Sequence, residues 1–284
     1  MTTLQSFGTS APEETRSKLM PDGSEGTAGS RRPRERRLYR AAATLIVLAT
    51  ALPPTPAHAA DTPTAADLAL FSHLPRGAVP EPWTPVSIVI GKRSTRYDLV
   101  DDAGITVLHA VADNAASGLA LPLHFDLRSA PIVSWRWKIA GLIHDADSTV
   151  ASREDAPARI VFEFDGDKRK LTFVERTIYG ISQHVAGREL PYATLMYIWS
   201  NRAPVGTVIA NPRTRRVQMI VASSGAAGVG AWQALTRDVR ADFRRAFGEE
   251  AGALLAVGVL TDTDNTDGHA EAWYGDIRFT PPMR

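Results

Sequence analysis

The sequence predicts an all-β fold, an antiparallel two-sheet β-sandwich of the jelly-roll kind, with one surface helix near 236–247. Three observations lead there. About ten short segments between residues 83 and 280 alternate apolar and polar residues with period two, as half-buried strands do. Only one stretch carries the 3.6-residue period of a helix. No strand–helix–strand succession appears, which leaves two stacked antiparallel sheets to bury so many one-faced strands.

The clearest strand is Ile132 to Ile139, with Val133, Trp135, Trp137 and Ile139 on one face and Ser134, Arg136 and Lys138 on the other. Ala158, Ile160, Phe162 and Phe164 alternate in the same way, as do Val217, Met219 and Val221, and Trp273, Gly275, Ile277 and Phe279. Residues 86–90, 96–100, 105–111, 171–178 and 195–200 are further strands, and the continuously apolar run 254–260 suits a strand covered on both faces. The 105–111 pattern puts His109 on the apolar face with Ile105, Val107 and Val111, as a core histidine. Thr236 stands as a helix N-cap, Val239, Phe243 and Phe247 recur on one helical face, and Gly248 fits a left-handed C-cap.

Ahead of this region the composition changes. Residues 1–30 are rich in Ser, Thr, Gly, Glu and Pro without apolar periodicity and read as a disordered leader. Six arginines fall within residues 31–40, followed by the apolar run 41–52 and the small-residue exit Ala57-His58-Ala59. These are the three parts of a secretory signal. Residues 31–59 are therefore expected to direct export, with cleavage near Ala59 and a periplasmic or secreted mature chain; an uncleaved anchor is the alternative. The apolar run is shorter than the ~20 residues that span a bilayer, so no transmembrane helix is expected in the mature chain. Residues 60–82 read as a linker and 83–280 as one domain.

Removing residues 1–59 takes away 8 of 32 basic and 5 of 31 acidic residues, leaving 24 against 26. That near-balance excludes the basic surface a nucleic-acid binder needs. The chain has no cysteine, which excludes disulfides, thiolate metal sites and a cysteine nucleophile.

The densest polar run is Thr261-Asp262-Thr263-Asp264-Asn265-Thr266-Asp267-Gly268. Oxygen-rich loops of this kind hold calcium, which takes six to eight oxygen ligands. The run departs from the EF-hand pattern, with its glycine one position late and the distal glutamate absent, and the same residues suit a hairpin turn. Glu163 and Asp165 share a strand face, a spacing compatible with the paired carboxylates of retaining glycoside hydrolysis; Asp165-Gly166-Asp167-Lys168 equally reads as a turn. Asp155 paired with Arg159 is a second catalytic pairing. Tyr197 and Trp199 share a strand face and would stack on sugar rings if exposed, or fill the core if not.

Several segments together resemble the domain-of-unknown-function 3047 family of exported bacterial proteins: residues 133–138, 154–160, 197–200, 247–250, 261–266 and 274–279. The resemblance spans Trp83 to Phe279 and implies no established activity. The ending Tyr274-Gly275-Asp276-Ile277-Arg278-Phe279 is also similar to the last strand of carbohydrate-binding jelly rolls, a resemblance that would make Asp276 a structural calcium ligand.

Three readings follow. In the first, the chain is a non-catalytic binding domain for a glycan or another cell-envelope component. Tyr197, Trp199 and Arg202 would meet the ligand, and Asp262, Asp264 and Asp276 would hold calcium or fix loops. In the second it is a carbohydrate-active hydrolase using Glu163 and Asp165, or Asp155 with Arg159. In the third it is an envelope assembly partner that docks through sheet edges or the helix.

Overall fold

Period-two alternation becomes fourteen strands among the described residues, which in this computed structural model are 70–87, 91–172, 175–176, 190–211 and 214–282. The expected leader, the signal, the start of the linker (60–69), the end of the 86–90 strand and most of the 171–178 strand lie outside them.

The first sheet contains β1 (Gly77–Ala78), β3 (Arg96–Asp102), β4 (Ile105–Asp113), β13 (His269–Tyr274), β6 (Ile132–Ile139) and β11 (Gln233–Asp238), in that spatial order, and β14 (Arg278–Thr280) also pairs with β6. The second runs β2 (Thr84–Ser87), β5 (Ala116–Phe125), β12 (Leu254–Asp262), β7 (Ala156–Phe164), β8 (Ala193–Ser200), β10 (Val217–Ser224), β9 (Val208–Ala210). All pairs are antiparallel except β8 with β10, which is parallel. The two-sheet sandwich expected from the sequence is thus present, with one mixed sheet.

The strands bury the faces their alternation marks out. Val133, Trp135, Trp137 and Ile139 of β6 face Ile160 and Phe162 of β7 and Leu195, Tyr197 and Trp199 of β8 in one core. Aromatic rings join the layers: Trp135 stacks on Tyr197 with centroids 5.0 Å apart, and Phe162 meets Tyr197 edge-on at 5.7 Å. Trp137 and Tyr197 find partners for their polar tips, whereas among the described residues the buried Trp135 Nε1 has none. Trp137 Nε1 donates to Ser223 Oγ (3.0 Å), and Tyr197 OH donates to Asp242 Oδ2 (2.8 Å). Asp242 is clamped in turn by Arg237 through two hydrogen bonds of 2.8 Å. Burial and the Asp242 charge hold the Tyr197 phenol well above its ordinary pKa, so it stays a donor.

The helix α1 (Val239–Phe247) packs Val239 and Phe243 inward. Its N-cap is Asp238, whose side chain accepts from Ala241 N, and not Thr236, because β11 continues to Asp238. Gly248 closes the helix in the left-handed conformation at φ 73°.

Several expectations need correction. Residues 70–82 are not all linker: Phe71 is fully buried and stacks on Trp83 at 5.0 Å. His109 faces outward, since the core face of β4 carries Leu108 and Ala110. The run 261–268 is no hairpin, for β12 and β13 belong to different sheets. The strand read across 273–279 is broken at Gly275–Ile277, and its halves β13 and β14 lie along one side of β6.

Replacing Tyr197 with alanine should cost about 3–5 kcal/mol in chemical denaturation, as a large core deletion does. A surface stacking residue would change stability by no more than about 0.5 kcal/mol.

Candidate functional site

The outward face of the second sheet carries a groove of about 320 Å³. Its floor is bare because small residues of two neighbouring strands fall in register: Gly258 of β12 pairs with Ala120 of β5, with Val161 of β7 on its other side. Side chains are excluded at Gly118 of β5 and at Gly258. A Cβ at Gly118 would lie 2.6 Å from the Val259 carbonyl oxygen, and one at Gly258 would lie 2.7 Å from that of Leu119. Val86, Val161, Leu190, Met196 and Leu260 supply aliphatic walls.

Polar groups gather at one end. Glu163, Glu175, Thr194 and Arg216 line the groove there, beside Tyr192. Arg216 lies over the Tyr192 ring at 4.7 Å and donates to Glu249 Oε1 (3.0 Å) and Glu175 Oε1 (3.4 Å). The Thr172 backbone N–H, with Arg216, holds the Glu175 carboxyl below its usual range. Burial opposes ionisation of Glu249, but hydrogen bonds from Tyr192, Arg216 and Lys170 outweigh it and hold that carboxyl low as well.

A second polar cluster is a closed knot. Arg159, on the same outward face of β7, is 2 % exposed and donates to Asp262 through Nε (2.9 Å) and Nη2 (3.0 Å). It also donates to the Glu154 carbonyl, and the Glu154 carboxylate lies 3.7 Å from its Nη1. Burial pushes the Asp262 carboxyl up to about 6, against the downward pull of Arg159. Asp155, Asp262 and Asp264 bring carboxylate oxygens within 4.8 Å of one another. Asp155 nevertheless accepts from Asn265 N (3.1 Å), Asn265 Nδ2 (3.0 Å), Thr266 N (2.8 Å) and Thr266 Oγ1 (2.6 Å). Four donors fill the acceptor sites of one carboxylate. The knot ties the loop after β12 to the start of β7.

The sequence-chosen residues therefore separate. Asp262 and Asp264 meet, joined by Asp155, but Asp276 is elsewhere: it accepts from Ser72 N (2.9 Å), Ser72 Oγ (2.7 Å) and Arg278 Nη2 (2.7 Å) on the first sheet. Glu163 lines the groove without Asp165. The strand β7 ends at Phe164, and the exposed Asp165 turns back to accept from Gly166 N (2.7 Å), so the two carboxylates do not share a cleft. Asp155 and Arg159 are buried in the knot, with Arg159 committed to Asp262. Tyr197 and Trp199 are core side chains with no exposed surface and cannot stack on a ligand. Arg202 is exposed beyond the end of β8. The groove itself escaped the sequence reading, since its signal is small residues that meet only through strand pairing.

This architecture is that of a two-sheet β-sandwich. The chain belongs to the family described as Protein of unknown function (DUF3047), whose model matches residues 81–278. Comparison with curated proteins gives no match. Among solved structures, the chain is similar to the glycoside hydrolase domain of Endo-D from Streptococcus pneumoniae (9% identity, 71% of this chain and 22% of that one, TM-score 0.31). It is similar also to the xyloglucanase domain of NopAA from Sinorhizobium fredii (10%, 74% and 99%, TM-score 0.38). A third is the family 30 carbohydrate-binding module of a cellulosomal cellulase of Clostridium thermocellum (12%, 74% and 98%, TM-score 0.34). The likeness concerns general fold, and no ligand or chemistry follows from it.

Arg159→Met should destabilise the protein by about 3–5 kcal/mol, because Asp262 would be left buried without its counter-ion; adding Asp262→Leu should restore most of the loss. Millimolar calcium should leave the melting temperature unchanged, since Asp155 is saturated by donors and Arg159 already neutralises Asp262. A rise of several degrees would show that the knot opens to a cation.

Proposed function

We propose that the chain is a non-catalytic binding domain of the cell envelope, exported by its N-terminal segment, which seats an apolar-chained molecule with a neutral, hydroxyl-bearing head in the groove of the second sheet. The observation that carries this is the groove's division of labour. Aliphatic side chains and bare backbone line its length, while polar side chains gather at one end. Ligand pockets of this size are mostly apolar with a few placed polar groups that set orientation.

Charge selects the head. Glu163 and Glu175 outnumber Arg216 among the lining residues, and Arg216 is already matched by Glu175 and Glu249. An anionic head would meet repulsion there, whereas hydroxyl groups find acceptors. A bare sugar chain suits the groove less well, because Tyr192 is the single aromatic residue among its described lining residues. The Arg-rich run, short apolar stretch and Ala57-His58-Ala59 support a periplasmic location. Among the described residues no helix is long and apolar enough to cross a membrane.

Native mass spectrometry and fluorescent-lipid displacement test this. A monoacylglycerol should bind, and the fatty acid of equal chain length should bind more weakly. Val161→Trp, which fills the groove from its outward face, should weaken monoacylglycerol binding at least about tenfold, the equivalent of one lost apolar side chain's contact. Binding unchanged by Val161→Trp, or a preference for the fatty acid, would overturn the reading.

A further inference from the structure

The outward face of the first sheet holds a different site, independent of the groove. Five side chains form a ladder from Trp232, just before β11, across β6, β13 and β4. The Arg136 guanidinium lies 4.4 Å above the Trp232 ring, Lys138 Nζ lies 5.2 Å from that ring and 4.6 Å from Trp273, and His109 stacks on Trp273 at 4.7 Å. The ladder is fixed from its sides. Lys138 pairs with Asp102 (3.0 Å), Trp232 Nε1 donates to Asp102, and His109 is hydrogen-bonded to Glu271 (3.1 Å).

Arg136 differs from the other charged members. Lys138 has its carboxylate, but among the described residues no carboxylate lies within ion-pair distance of Arg136 and its side chain makes no hydrogen bond. A guanidinium offers five N–H donors in a planar fork, and this one is only half exposed. Its conformation is built in. A Cβ at position 275 would sit 2.5 Å from Arg136 Cγ and 2.6 Å from its Nε, so Gly275 is what allows the side chain to lie flat across the break between β13 and β14. Stacking on Trp232 holds the other face of the guanidinium.

The donors border an open cleft of about 610 Å³. Thr106, Ser134 and Thr236 contribute to its lining with Asp276 and Arg278. Asp276 is matched by Arg278 and Ser72, and Asp102, bonded directly to Lys138 and Trp232, acts on Arg136 only at longer range, which leaves the N–H donors of Arg136 without a carboxylate partner in the lining. A pre-oriented planar fork binds a carboxylate or phosphate through two parallel hydrogen bonds. Hydroxyl side chains around it match a polyhydroxyl body.

We infer that this cleft binds an anionic saccharide, its acid group on Arg136 and its hydroxyls among Thr106, Ser134 and Thr236. Isothermal titration with the purified protein tests it, using an oligouronate, a sugar phosphate, the neutral oligosaccharide of equal length and inorganic phosphate. The oligouronate or the sugar phosphate should bind, and the stronger of the two identifies the acid as carboxylate or phosphate. The neutral sugar should bind at least about tenfold more weakly, because a charge-assisted hydrogen-bond pair is worth that or more. Affinity should fall as sodium chloride rises.

Arg136→Gln should abolish the preference for the acidic sugar without lowering the melting temperature, since the residue lies on the outward face. Ser134→Ala should weaken binding by a smaller factor. Val161→Trp should leave it unchanged, which separates this site from the groove. Equal affinity for acidic and neutral sugars, insensitivity to Arg136→Gln, or inorganic phosphate binding as tightly as the saccharides would each overturn the inference.

Discussion

The stack of Trp135 on Tyr197 is where the two sheets are pressed into register. Each ring comes from a different layer, and each layer's central strands are ordered around it. β6 brings Trp135 and Trp137 inward, β8 brings Tyr197 and Trp199, and β7 packs Phe162 edge-on against the same phenol. Because aromatic rings are bulky and prefer a narrow set of offsets, a slip of one residue in either strand would turn this contact toward solvent. The hydroxyl of Tyr197 then reaches Asp242, so the same side chain that joins the sheets also docks the helix.

Fixing the inner faces in this way determines the outer ones. With Ile160 and Phe162 inward, Arg159, Val161 and Glu163 must point out, and the second sheet acquires a buried ion pair, an aliphatic wall and an acid in successive outward positions along β7. With Trp135 and Trp137 inward, Arg136 and Lys138 must point out and meet Trp232 and Trp273. The two outward faces thus differ in chemistry: one offers aliphatic surface and carboxylates, the other cations held on rings.

Legibility in the sequence followed side-chain size. The strands 132–139 and 156–164 announced themselves because large apolar residues alternate with charged ones. β5 did not, since the residues alternating with Leu119, Leu121 and Leu123 are Gly118, Ala120 and Pro122, which are small or apolar and not charged, so no polar face marks the strand. β4 was assigned the wrong face for the same reason: its core side uses Ala110 and Ala112, while bulkier Val111 and His109 face out. Of the chemistry, Asp155, Arg159, Asp262 and Asp264 were each visible as polar residues, but their convergence depends on β7 and β12 being neighbours, 103 residues apart at the Arg159–Asp262 contact. The same holds for Arg136, which in sequence is an ordinary solvent-side residue and becomes distinctive only through Gly275 and Trp232.

The place of β12 carries a consequence for how the molecule is assembled. It lies in the middle of its sheet, between β5 and β7, yet β5 ends at Phe125 and β7 at Phe164, long before β12 begins at Leu254. Until it arrives, β5 and β7 each present an open row of backbone donors and acceptors, the condition in which strands of separate chains pair with one another. Assembly is therefore dominated by long-range closure and will be slow for a domain of this size. A chaperone or a crowded compartment would act on that waiting state and not on the finished sandwich.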